Sequence, residues 1–183
     1  MQPEPMRSPL LLICGSVRAG STNAAVLRTA GLLAPAGVAV TGYDELASLP
    51  HFNPDDDGQC PPAAVARLRA RLAEAGALLF CTPEYAGALP GSFKNLLDWS
   101  VGGGEMSGKP VGWINCSWGP TGAAGAYAEL RTVLTYTDSV IVEPACAQVP
   151  VTRPDVAADG LVHDPAIRAR LAEVMTALAG TVS

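Results

Sequence analysis

The chain has 183 residues, 49% of them apolar, and a formal charge of −5. That length can bury one substantial core. No run of lysine and arginine offers a nucleic acid or an anionic membrane a docking strip, and no apolar stretch approaches the ~20 residues of a membrane span, so neither partner is expected. The opening residues, 1–9, lack the apolar region of a secretory signal and read as a short disordered lead. Residues 10–183 then form a single domain, and the expected compartment is the cytoplasm.

Leu10 to Cys14 is a continuous apolar run that reads as a buried strand. The stretch Gly15-Ser-Val-Arg-Ala-Gly-Ser-Thr-Asn23 follows it and leads into a helix, with Val26, Ala30 and Leu33 at helical spacing. A strand, a glycine-bearing loop and a helix start make an anion site, because the helix's first N–H groups are free and its dipole favours negative charge. Ser16, Ser21 and Thr22 add hydroxyls, Asn23 an amide and Arg18 a guanidinium, with no acidic residue among them. Gly15 and Gly20 have Walker A spacing, but Ser21 stands where the lysine should be, which disfavours a nucleoside triphosphate. Val17 replaces the middle glycine of the dinucleotide fingerprint. A terminal monophosphate fits better; an ordinary loop with a Ser or Asn helix cap is the alternative.

Strand and helix patterns then alternate. Strands are expected at Val38 to Tyr43, Ala77 to Cys81, Val111 to Cys116 and Ser139 to Val142. Helices are expected at Pro62 to Ala75, Gly91 to Val101, Ala123 to Tyr136 and from Pro165 onward. The segment Glu143 to His163 contains three prolines and reads as a surface run that could cover part of a site. Five strands alternating with five helices imply an α/β fold: a doubly wound, flavodoxin-like, five-stranded parallel sheet of order 2-1-3-4-5 with helices on both faces. Ligands of such sheets sit at the carboxyl ends of the strands. Three loops leave that edge: Gly15–Asn23, Thr82–Pro90 and Ser117–Gly125.

Five cysteines occur without any C-x-x-C pair. Cys14, Cys81 and Cys116 each end an apolar run and read as small buried hydrophobes. No metal site is expected, since no tetrahedral ligand spacing is present. Asp55-Asp-Asp-Gly58 lacks the glutamate that a calcium loop needs and reads as a solvated turn.

The second loop, Thr82-Pro-Glu-Tyr-Ala-Gly-Ala-Leu-Pro90, is a stiff turn able to offer backbone groups to the edge of a flat heterocycle. Together with the first loop it resembles the NADPH-dependent FMN reductase family. Gly15, Ser16, Arg18, Ser21 and Asn23 match that family's G-S-x-R-x-x-S-x-N motif. Pro83, Glu84, Tyr85, Pro90, Gly91, Lys94, Asn95, Asp98 and Trp99 match its second motif. The resemblance implies that Ser16, Arg18, Ser21, Thr22 and Asn23 hold the FMN 5′-phosphate. It implies that Pro83, Glu84, Tyr85 and Ala86 line the isoalloxazine, and that Ser117 and Gly119 meet the rest of the ring. The implied activity is electron transfer from NADPH or NADH, through FMN, to a quinone, flavin, azo or metal-ion acceptor. The chemistry would lie on FMN, with no protein nucleophile and Glu84 as either proton donor or structural carboxylate. A homodimer or homotetramer is implied. The alternative is a flavodoxin-like FMN-binding electron carrier without NAD(P)H oxidase activity. Two positions depart from the family: Ala86 stands in place of Asn, and Ala123 follows Gly122 where the family has a Gly-Gly pair.

Overall fold

The computed structural model describes residues 8–182. Its five strands are β1 (Leu10–Cys14), β2 (Val40–Tyr43), β3 (Ala77–Cys81), β4 (Pro110–Asn115) and β5 (Val140–Gln148). They form one sheet of order β2-β1-β3-β4-β5, parallel throughout. The helices are α1 (Thr22–Gly31), α2 (Ala63–Glu74), α3 (Gly91–Trp99), α4 (Ala124–Tyr136) and α5 (Pro165–Ala179). The doubly wound order expected from the sequence is present. Residues 1–7 of the expected lead lie outside the described residues. At its end the Pro9 carbonyl accepts from the Gly76 N–H at 2.9 Å, which draws the chain onto the sheet.

Alternation along each strand sorts side chains between two cores. Leu11, Ile13, Leu78, Phe80, Val111 and Trp113 pack against α2, α3 and α4. Leu10, Leu12, Leu79, Cys81 and Ile114 pack against α1 and α5. All five residues of β3 are buried, as a strand covered on both faces requires. Burying each of Leu78, Leu79 and Phe80 stabilises the fold by about 1.5–3 kcal/mol.

β5 runs six residues past its expected end at Val142. Val140 and Ile141 pair with Pro110 and Val111; pairing then resumes with Cys146 opposite Trp113. Five steps on β5 thus face two on β4, leaving three residues in a bulge. Pro144 falls there, where no ladder N–H is needed. Gly112 makes the bulge possible, because a Cβ on it would collide with Ala145. The expected surface run is therefore strand at its start, and Val149, Val151 and Val162 beyond it are buried. The Val151 N–H donates to the Cys116 carbonyl at 3.1 Å, carrying this segment to the carboxyl edge of β4.

Candidate functional site

Gly15 must be glycine because a Cβ would overlap the Thr82 side chain. Gly20, at φ 66°, turns the loop toward α1. Ser21 occupies the N-cap of α1 but its hydroxyl makes no cap bond, and the first turn contains no acidic residue. The first intrahelical bond is Ala25 N–H to the Ser21 carbonyl at 3.0 Å, so the N–H groups of Thr22, Asn23 and Ala24 precede the ladder. An uncapped helix end with donors and no carboxylate suits a phosphate. The Ser16 hydroxyl accepts from the Arg18 N–H at 3.3 Å, while the Arg18 guanidinium stands exposed without a protein partner among the described residues.

The second loop closes as a two-residue hairpin. Tyr85 and Ala88 exchange backbone hydrogen bonds of 3.0 and 3.1 Å, with Ala86 at φ 53° and Gly87 at φ 76° between them. Two carboxylates tie this hairpin to α4. Glu84 Oε2 accepts from the Ala126 N–H at 2.9 Å, in the first turn of α4, and Glu129 Oε2 accepts from the Leu89 N–H at 2.8 Å. Of the two roles considered for Glu84, this geometry matches the structural one. Gly125 is small because a Cβ would strike the Gly87 carbonyl. Deeper in, the buried Tyr127 hydroxyl donates to the Ile114 carbonyl at 2.7 Å and lies 3.1 Å from the Thr82 carbonyl. Burial pushes that phenol well above its ordinary range.

The third loop hangs on Asn115. Its Nδ2 donates to the Gly122 carbonyl at 2.6 Å and its Oδ1 accepts from the Ser117 N–H at 3.0 Å. Gly122 and Ala123 both have positive φ, 55° and 54°, so Ala123 adopts the left-handed conformation that a second glycine would take more easily.

The three loops meet around a cleft of about 300 Å³, lined by Thr22, Asn23, Thr82, Pro83, Glu84, Cys116, Ser117, Trp118, Thr121, Ala123 and Val151. Of the residues expected to bind the cofactor, Thr22, Asn23, Pro83, Glu84 and Ser117 line it. Tyr85 is 54% exposed beyond it, and Trp118, which lines it, is 71% exposed. Ser16 and Arg18 instead face a larger cavity of about 660 Å³ between α1 and the β2 edge, where Arg28 and Asp44 also stand. The loop Gly15–Asn23 is thus the wall between two cavities. Ser21, Tyr85, Ala86 and Gly119 line neither. The sequence reading missed Asn115, Tyr127, Cys116 and Val151. A lone Asn ending an otherwise apolar strand was the available signal for Asn115. Val151 had no signal of its own, although the segment Glu143 to His163 that contains it was expected to be able to cover part of a site.

The chain is similar in sequence to known flavin reductases. The family model for NADPH-dependent FMN reductases matches residues 9–151. The NAD(P)H-dependent FMN reductase of Pseudomonas aeruginosa is 39% identical over 131 residues, 70% of each chain. A quinone reductase of Escherichia coli K12 is 32% identical over 136 residues, covering 73% of this chain and 72% of its own. Among solved structures, a flavoenzyme NAD(P)H:(acceptor) oxidoreductase from Paracoccus denitrificans superposes with a TM-score of 0.77 at 27% identity, covering 96% of this chain and all of its own. The chain belongs to the NADPH-dependent FMN reductase family.

Proposed function

We propose that this protein oxidises NAD(P)H through bound FMN and passes the electrons to a quinone. The observation that carries this reading is the α1 N-terminus, uncapped and free of carboxylates, opening beside the cleft framed by the other two loops. The residues present fit FMN. Thr22 and Asn23 bring donors from the head of α1 to the cleft, Ser16, Arg18 and Ser21 add donors along the same loop, none of the five is acidic, and Glu84, the one carboxylate lining the cleft, is bonded to the head of α4. When bound, FMN supplies the two-electron chemistry between hydride donor and acceptor.

The chain's own residues bind and orient. Free N–H groups of α1 would neutralise the phosphate, and the Pro83–Ala86 backbone would be offered to the ring on a hairpin tied to α4 by Glu84 and Glu129. Ser117 and Gly119 would complete the site from the third loop, whose Ser117 N–H is held by Asn115. The quinone assignment draws on relatives named quinone reductases, including the Escherichia coli protein and a 2-hydroxy-1,4-benzoquinone reductase from a Burkholderia species. Exposed aromatic groups at the rim, Tyr85 and Trp118, favour completion of the site by a second copy of the chain. No helix among the described residues is long and apolar enough to cross a membrane. A cytoplasmic location would give the site direct access to NAD(P)H.

The test is spectroscopic. Protein mixed with FMN and desalted is expected to retain flavin absorption, to bleach with NADPH or NADH without oxygen, and to recover its colour with a quinone. Loss of all flavin on desalting sinks the reading. Retained flavin that neither nucleotide bleaches supports the carrier instead.

A further inference from the structure

Beneath the first loop, Cys81 ends β3 and Cys116 directly follows the adjacent β4, and the two do more than fill space. The Cys81 Sγ lies 3.2 Å and the Cys116 Sγ 3.3 Å from Oδ1 of Asn23, and the two sulfurs are 3.8 Å apart. A side-chain carbonyl oxygen has two lone pairs and can accept from both thiols. Cys81 is fully buried and Cys116 nearly so. Burial keeps the Cys81 thiol protonated, and therefore a donor, well past its ordinary range.

An asparagine amide has two orientations of almost equal shape and opposite polarity. In the first turn of α1 that choice matters. One orientation turns NH₂ toward the cleft that Asn23 lines, and the other turns a lone pair toward it. A phosphate dianion is attracted by the first and repelled by the second. With Oδ1 engaged below, Nδ2 is left for the cleft and donates to no protein group among the described residues.

We propose that Cys81 and Cys116 are positioning residues, whose paired thiols pin the Asn23 carbonyl oxygen so that its NH₂ group faces the cleft as a phosphate donor. This rests on the reading of the cleft as an FMN site. The pair takes no part in electron transfer on this account.

The test is FMN titration of the apoprotein, followed by flavin fluorescence, with circular dichroism as the folding control. Cys81→Ala with Cys116→Ala is expected to weaken FMN about tenfold, the scale of a lost hydrogen bond and a misdirected amide. Cys81→Ser with Cys116→Ser keeps both donors and is expected to stay within about threefold of the parent. In an Asn23→Ala background the alanine pair is expected to add no further loss, because no amide remains to orient. Equal losses from the serine and alanine pairs, no loss from the alanine pair, or a full loss persisting without Asn23 each overturn the proposal. Should the alanine pair not fold, Cys116→Ala against Cys116→Ser, at the cleft wall, makes the same comparison. Failure of the unmodified protein to take up FMN removes the FMN reading and this proposal with it. Normal uptake with unresponsive cysteine variants removes this proposal alone.

Discussion

Ala86 sits at φ 53°, the first centre of a two-residue turn, where a Cβ crowds the following carbonyl. Asparagine tolerates that conformation better, and asparagine is what the family pattern places there. Ala86→Asn is expected to raise stability by about 0.5–1 kcal/mol, read from the urea midpoint. The exposed Arg18 guanidinium makes no hydrogen bond or ion pair among the described residues, so Arg18→Ala should leave the urea midpoint unchanged. It should weaken FMN binding about ten- to a hundredfold if the guanidinium meets the phosphate. Glu84 gives the sharper chemical test. Its carboxylate accepts from the Ala126 N–H, so Glu84→Gln preserves an acceptor and should leave the pH profile of turnover in place, while Glu84→Ala should cost about 1–2 kcal/mol of stability. A pH profile displaced by the glutamine variant would restore Glu84 as a proton donor.

The loops are held by elements, and that is where reading from sequence succeeds and stops. β3 was legible because five apolar residues between Gly76 and Thr82 leave little choice but a strand buried on both faces. The meeting of the three loops followed from strand order. β5 was not legible past Val142, because Glu143 and Pro144 interrupt the apolar pattern in the bulge that Gly112 accommodates. Without that extension Val151 could not be placed in the cleft wall. The thiol–amide cluster was equally hidden, since Cys81, Cys116 and Asn23 are distant in sequence and a cysteine ending an apolar run gives no sign of its partner. Tyr127 shows the energetic weight of such connections. Its hydroxyl bridges the ends of β3 and β4 from α4, and Tyr127→Phe would strand the buried Ile114 carbonyl that it donates to and the Thr82 N–H that it accepts from. The expected cost is about 1–3 kcal/mol by chemical denaturation, with weaker FMN retention after desalting.

At the scale of the whole molecule, ionisation sets an alkaline limit. Burial raises Cys146 from an ordinary value of 9.0 to about 11 and Tyr43 from 10.0 to about 12. Both folded values lie above the unfolded ones, so their contribution is complete below about pH 9 and is lost as pH rises through the folded values. The urea midpoint is expected to be level from about pH 7 to 8.5 and then to fall, with Cys146→Ala removing a share of the earlier decline, to which the buried thiols of Cys14 and Cys81 also contribute. The buried Tyr43 hydroxyl has no hydrogen-bond partner among the described residues, so Tyr43→Phe should leave neutral stability intact while removing a share of the later decline, Tyr127 keeping the rest. The position of α5 has a further consequence, for synthesis rather than for the finished protein. This helix comes last among the described elements, yet it covers Leu10, Leu79 and Ile114, which belong to strands made much earlier. A nascent chain released from the ribosome only as far as Gln148 would own every strand of its sheet and still show water the part of one greasy face that α1 does not cover. Chaperone capture should therefore peak in that interval and end when Leu171, Val174 and Leu178 dock.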